Sequence, residues 1–408
     1  MFPDIAGRLD VLVAGAGPAG SATATLLARA GLSVLMVDRA AFPRDKACSE
    51  YMSPEAVRIL ARLGVVENLE KAGAFPLEGM KVTGPRGSTA HGKFSLAGYH
   101  PFRPTGLSIS RRILDFQLLA AARTAGAAVM ERGRVEELLY EQGGVAGAVV
   151  RDHTGRRHSI RARLTVGADG LRSIVARRLG RRKYGSSRRM AFVAHVAGVD
   201  GMGPSAELHF REQGYLGLNQ IGHHQTNVAL VVPSERAAHA RGGIERFFSD
   251  TLSEFPGVRE RVEAGEIVRP VLATGPFAVS SARVIAPGAL LVGDAADFFD
   301  PATGDGIFCA LRGAELVAET AVAALSLPGL VTVDRLAEYR RMRRRLFAGK
   351  WMLERMIDSA LRFPGLFDRA VSRLGRHEEM GHAVIGLAGG FVPLRAVLSP
   401  IFLARMIL

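Results

Sequence analysis

The sequence is short of cysteine, tryptophan, acidic residues and long apolar runs, and each shortage removes a class of protein. Its two cysteines, Cys48 and Cys309, lie far apart in 408 residues. They cannot build a disulfide framework or a zinc cluster, so no metal site and a reducing compartment are expected. The longest apolar stretches, 383–394 and 396–404, are closed by Pro393, Arg395 and Pro400. Both fall below the roughly 18 apolar residues a membrane span needs. The first residues carry an acid, Asp4, and no basic and apolar leader pattern. A cytoplasmic location is expected. Acids number 39 against 53 Lys and Arg, a net charge of +14. The basic clusters at 181–189 and 340–345 contain almost no aromatic residue for stacking bases. Nucleic acid is therefore not the expected partner, and the clusters read as solvated faces or as contacts with an anionic membrane or acidic partner. The basic 340–345 cluster and the apolar stretch Phe391 to Leu408 together suggest peripheral membrane contact.

What is present is a globular composition: 48% hydrophobic residues and 47 glycines. The length suits two interleaved domains. Residues 10–14 read as a buried strand, 21–30 as a helix and 33–38 as a second buried strand, a βαβ opening. Helices are predicted at 54–63 and 111–124, and a strand pair over 128–140 with a Gly-Gly turn at 143–144. Between about 189 and 270 short alternating strands appear, at 191–199, 206–210 and 226–232. From 286 to 310 the nucleotide-type pattern returns, followed by helices to 324 and over 333–362.

The turn Gly15-Ala-Gly17-Pro18-Ala19-Gly20 follows the first strand and opens the first helix. Its glycines allow a tight turn and close backbone approach while the helix N-terminus faces a pyrophosphate. Asp38, followed by Arg39, ends the second strand, where an acid takes ribose hydroxyls. This unit alone does not separate NAD from FAD.

Two later segments bear on that choice: Leu164-Thr-Val-Gly-Ala-Asp169-Gly, and Leu291-Val-Gly293-Asp294 running on to Pro301-Ala-Thr-Gly304-Asp-Gly306-Ile307. With the first motif they resemble the three signatures of the FAD-dependent oxidoreductases of the aromatic hydroxylase and geranylgeranyl reductase superfamily. The resemblance spans roughly residues 10 to 330 and implies FAD as the cofactor, with NAD(P)H as a transient donor or a partner reductase supplying electrons. It implies that Asp294 binds the ribityl chain and that Asp169 lies in a signature tied to FAD and NAD(P)H. It also implies that Arg111, in an Arg-x-x-x-Asp115 pattern, reaches FAD. Phe42-Pro-Arg44-Asp-Lys46-Ala47-Cys48 resembles the stretch that runs beside the flavin ring in geranylgeranyl reductases, which usually continues with glycine where this chain has Ser49-Glu50.

The expected fold class is α/β: a Rossmann-like FAD-binding domain, an inserted, mostly antiparallel β-sheet substrate domain, and a helical C-terminal region. The FAD domain is placed at 1–85, 105–185 and 272–345, the substrate domain at 86–104 and 186–271, and the helical region at 346–408. No catalytic residue is assigned; His195, His209, His223 and His224 are candidates for a general base.

Prenyl reductases commonly carry an aromatic-x-Trp-x-Phe-Pro stretch in the substrate sheet, whereas this chain has Tyr215-Leu216-Gly217-Leu218-Asn219-Gln220, and its one tryptophan is Trp351. That tryptophan count also excludes a Trp-x-Trp-x-Ile-Pro halogenase. Leu216, Gln220 and Ser49-Glu50 are expected on the substrate side. Their departure from the reductase pattern favours FAD-dependent monooxygenation of an apolar, aromatic or polyketide-like molecule, with NAD(P)H and O₂. The alternative is reduction of prenyl-chain double bonds, and a third reading is a flavoprotein that only binds a partner.

Overall fold

The structure, a computed structural model, describes residues 7–185, 188–222 and 224–407. Strand Leu9–Ala14, helix Pro18–Arg29 and strand Val34–Val37 form the predicted βαβ unit. The near-continuous run of apolar residues in both strands means that both faces are covered. They lie in a sheet whose order is 285–286, 289–291, 157–167, 9–14, 34–37, 128–130, parallel from the second member onward. Val11 and Val13 point to one face, against helical residues such as Leu27, Leu119 and Val317. Leu12 and Ala14 point to the other, where Leu138 and Val150 of an antiparallel hairpin cover them. The stretch 128–140 is thus two separate strands, because the chain turns at Glu131 and Arg132, the latter in the left-handed conformation. Ala128–Met130 extends the parallel sheet, while Arg134–Glu141 pairs with Gly144–Arg151.

Helix Pro54–Leu63 has the predicted limits. The side chain of Ser53 accepts from the Ala56 amide, Pro54 sits in the first turn, and Gly64 closes the helix in the left-handed conformation. Helix Arg111–Thr124 also matches.

The inserted sheet has seven strands in the order 266–274, 189–197, 225–233, 214–220, 205–211, 79–83, 89–93. All neighbours are antiparallel except 205–211 with 79–83. The predicted boundary at 85 is therefore too late: hydrogen bonding assigns 79–83 to this sheet, not to the flavin domain. Helices Ile244–Leu252 and Pro256–Glu263, not foreseen, cover its outer face over Phe192, Leu216, Leu218 and Leu230.

Helix Val333–Leu361 is continuous over 29 residues, so the predicted boundary at 345 falls inside an element and the helical region begins at 333. Helices Pro364–Arg376, Glu378–Ala388 and Pro400–Ile407 follow. In the C-terminal stretch Val392, Val397 and Phe402 are buried against Met380 and Ala97. No helix among the described residues is long and apolar enough to cross a membrane. The long helix is tied to the parallel sheet by Tyr339, wholly buried, whose hydroxyl donates to the Leu291 carbonyl at 2.6 Å. Removing that hydroxyl strands a buried acceptor, so Tyr339→Phe is expected to lower unfolding free energy by about 1 to 2 kcal/mol. An unchanged urea midpoint would contradict this.

Candidate active site

The glycine turn is built by close approach. A Cβ on Gly15, at φ +102°, would lie 2.4 Å from the Ala168 carbonyl oxygen, and one on Gly20 only 1.8 Å from that of Gly15. Only glycine lets the turn, the first helix and the neighbouring strand pack this tightly. Gly17 is the N-cap and offers no side chain to the first amides of helix Pro18–Arg29. Those amides and the positive end of the helix are left for an anion. Asp38 is held at the mouth of the turn, its two oxygens accepting from the Ala16 and Ala40 amides at 2.7 and 2.8 Å. Arg39, next to it, is exposed.

Positive charge gathers on the same turn. Arg111 opens its helix and grips buried Asp115 with two bonds of 2.7 and 2.8 Å, and Arg44 approaches the same carboxylate at 2.9 Å. Burial opposes the charge on Arg111, but Asp115 outweighs it and holds the guanidinium's pKa above its usual value. Both guanidinium groups end within 4 Å of where a Gly17 Cβ would stand. Two cations therefore share one carboxylate beside the turn. Lys46 adds a third, its pKa lowered by burial and by Arg111, with Asp294 opposing. This excess of buried positive charge fits a pyrophosphate.

Beyond the turn a cavity of about 190 Å³ is lined by Pro18, Ala19, Lys46, Ala47, Cys48, Arg111, Gly293 and Asp294, and on its far side by Pro301, Gly304, Gly306 and Ile307. The structure thus brings the three sequence segments to one place. Asp169 stands apart. Its carboxylate accepts from the Ile174 amide at 2.6 Å and from Ser173 Oγ, so it fastens the start of helix Ile174–Leu179, and burial pushes its pKa up.

The rest of the lining comes from residues that sequence reasoning missed. Ala191, Val193, Tyr215, Gly217, Ala229 and Val231 project from the inner face of the inserted sheet. Because side chains alternate, Leu216 lies in the outer core, wholly buried, and Gln220 has the same parity. These two positions do not line the cavity, which overturns the expectation that their identity reports on the substrate.

Arg343, Phe347, Lys350, Trp351 and Glu354 reach the cavity from one stripe of the long helix. Of the 340–345 cluster, Arg343 alone is buried, paired with Asp297 and stacked on Phe347 and Trp351. Arg189 pairs with Asp300 at 2.6 Å, and the Tyr215 hydroxyl donates to the same Asp300 at 2.6 Å. The spacing 343, 347, 350/351, 354 was a readable signal, since a run of three or four residues marks one helix face.

The histidines divide. His195 is buried with Nε2 2.8 Å from Glu50, whose other oxygen accepts the Arg111 amide at 2.8 Å. His209 pairs with Glu207, which Arg261 also grips; burial opposes that charge, yet His209 and Arg261 bring Glu207 down to about 2. His224 is exposed, and His223 lies outside the described residues. None of the described three lines the cavity.

A second cavity, of about 400 Å³, lies between the inserted sheet and the C-terminal helices. Leu208 lines both cavities, as does the 301–304 loop, which gives Pro301 and Gly304 to the first and Ala302 and Thr303 to the second. The second is almost wholly apolar, with Leu353, Ile357 and Phe367 among its walls. It reaches the surface at Met356 and Leu366, which are exposed.

Residues 8–352 match the family model described as FAD binding domain. The chain is 31% identical over 324 residues to a menaquinone reductase of Mycolicibacterium smegmatis, covering 76% of each. It is 30% identical to digeranylgeranylglycerophospholipid reductase 1 of Methanococcoides burtonii, covering 78% of this chain and 76% of that one. Its fold resembles a flavin-dependent brominase, TM-score 0.83 at 20% identity with 98% of each chain covered. It also resembles a geranylgeranyl bacteriochlorophyll reductase-like protein of Thermoplasma acidophilum, TM-score 0.79 at 22% identity with 98% of each chain covered. FAD is the cofactor for which the cradle is built. Asp294→Ala and Arg111→Met are each expected to weaken FAD binding by about tenfold or more, roughly 1.4 kcal/mol. Flavin absorbance that stays fully with either variant through gel filtration would contradict the placement.

Proposed function

The chain belongs to the FAD-binding-domain family of flavoprotein oxidoreductases, and from that premise we propose that it saturates double bonds in the polyprenyl chain of an apolar lipid. The single observation that carries this reading is the second, apolar cavity, which lies next to the first with Leu208 and the 301–304 loop as shared walls. A compact aromatic substrate would need only the first cavity. A polyprenyl chain has a use for both, one double bond lying in the first and the remaining units in the second. The names of the two relatives above denote lipids that bear such chains, which supports the same choice. Of the departures from the reductase pattern, Leu216 and Gln220 do not line the cavity, while Ser49 does.

FAD, when bound, is the two-electron carrier of this reaction. Arg44, Arg111 and the glycine turn hold its pyrophosphate, and Asp38 and Asp294 take its hydroxyl groups. The inner face of the inserted sheet, from Ala191 to Val231, excludes water from the reacting bond. NAD(P)H or a partner reductase delivers the electrons. Hydroxylation remains the second reading, favoured by the aromatic walls Phe277, Phe298 and Phe299 of the first cavity. The two differ in their need for oxygen. Anaerobic protein with dithionite-reduced FAD and digeranylgeranyl glycerophospholipid, which has no quinone for the reductant to reduce, should yield a product heavier by two hydrogens. Turnover that requires O₂ and adds an oxygen atom would sink the reductase reading.

The lipid enters from a membrane surface. Phe363 and Leu366 are 63% and 60% exposed at the turn between the long helix and the next; Leu366 lines the second cavity, and Arg369, one turn on, is exposed and lines it too. Cationic residues around an apolar tip suit an anionic bilayer. Paired substitution Phe363→Asp and Leu366→Asp is expected to reduce sedimentation with anionic vesicles severalfold while leaving FAD content unchanged. Undiminished sedimentation would remove this docking face.

A further inference from the structure

The first cavity has a feature that cofactor binding leaves unused: a fourth carboxyl on the side of the long helix. The three carboxylates of the 297–305 loop each have a cation. Asp297 has Arg343, Asp300 has Arg189, and Asp305 has Lys350 as well as a 2.7 Å bond from Thr303. Glu354 is left over. Its Oε1 lies 3.4 Å from the Lys350 ammonium, which is already committed to Asp305, and its Oε2 is buried without a hydrogen-bond partner among the described residues. Only 6% of its surface is exposed, and it lines the cavity.

We propose that Glu354 is the acid that hands a proton to the substrate in this cavity, with Lys350 holding the carboxylate left behind. The inference rests on the reductase reading. Saturating one double bond takes a hydride, supplied by the reduced flavin, and a proton, supplied by the chain. The O–H bond at Glu354 Oε2 breaks. The π pair of the substrate forms the new C–H bond at the carbon that receives no hydride. The carboxylate then pairs with Lys350 until it regains a proton from solvent.

The surroundings favour a stored proton. Burial raises the Glu354 carboxyl first of all; Lys350 opposes, and Asp305 and Asp300 add to the rise, which brings it to about 8. The other groups facing it are Cys309, whose thiol burial pushes up to about 12, and Tyr215, raised by burial and by Asp300. Both are neutral at physiological pH, so neither supplies the missing positive charge. A carboxylic acid near 8 is protonated at neutral pH and loses its proton on mild alkalinisation. Activity that needs the acid form is therefore full below about 8 and falls as pH rises through it.

The test has two arms on FAD-loaded protein. In the first, infrared difference spectra should show a protonated carboxyl carbonyl band at pH 7 that fades above about 8 and is absent from Glu354→Gln. In the second, anaerobic saturation of digeranylgeranyl glycerophospholipid should drop roughly 100-fold or more in Glu354→Gln. Glu354→Asp should recover part of it with a shifted pH profile, and FAD content and dithionite reduction should remain those of the parent. A band that survives in Glu354→Gln, or a Glu354→Gln protein with the parent's rate and pH profile, would overturn the assignment while leaving the reductase reading intact. A parent protein that saturates no prenyl lipid would overturn both.

Discussion

A charge taken out of water costs several kcal/mol unless a partner of opposite sign waits for it, and this constraint organises the seam where the flavin sheet, the inserted sheet and the long helix meet. Asp115 sits between Arg111 and Arg44, Asp300 holds Arg189 and Tyr215, Asp297 holds Arg343, and Asp305 holds Lys350. Each of these pairs joins segments distant in sequence, apart from Arg111 and Asp115 within one helix. Truncating one partner would strand the other, so the pairs fix how the three parts sit on one another. The balance is left open beside the glycine turn and along the long helix. Beside the glycine turn cations outnumber carboxylates, which suits a pyrophosphate. Along the long helix two carboxyls, Asp305 and Glu354, share one cation, Lys350, which suits a stored proton.

The inserted sheet supplies the second constraint. With a side-chain period of two, each strand offers one set of residues to the helices outside and another to the cavity. Phe192, Leu216 and Leu230 go outward, while Ala191, Tyr215 and Val231 go inward. The inward set is mostly small, which leaves space for a ligand, and Tyr215 reaches across to the 297–305 loop. Beyond Leu208 the same sheet forms one wall of the apolar second cavity. Packing thus sets two cavities on either side of Leu208 and the 301–304 loop, one against the cofactor cradle and one opening at Leu366.

Several elements were legible in the residues themselves, for local reasons. The βαβ opening follows from two buried strands and a glycine turn, and helix 54–63 from Ser53, Pro54 and Gly64 at its ends. The acids Asp38 and Asp294 follow apolar strands, and the structure places Asp38 against the Ala16 amide of the turn and Asp294 on the cavity wall. Asp169 shows the limit of motif reading: its position in a signature is real, but its hydrogen bonds go to a helix start. In the strand at 214–220 glycine at 214 and 217 and Asn219 depress strand propensity, and pairing on both sides overrides that deficit.

What the sequence determined by itself was the cofactor frame, because a dinucleotide turn is a local structure whose glycines, helix start and terminal acid lie within thirty or so residues of one another. What only the tertiary structure decided was the substrate side. Whether Leu216 or Tyr215 faces the cavity depends on which face of its sheet is covered, and that in turn depends on helices 244–252 and 256–263 packing over the other. Likewise Arg343, Lys350 and Glu354 read in sequence as parts of an ordinary charged helix. They become a lining of the site only when that helix lies against the 297–305 loop, since burial, not residue type, turns a solvated charge into a paired one or a proton store.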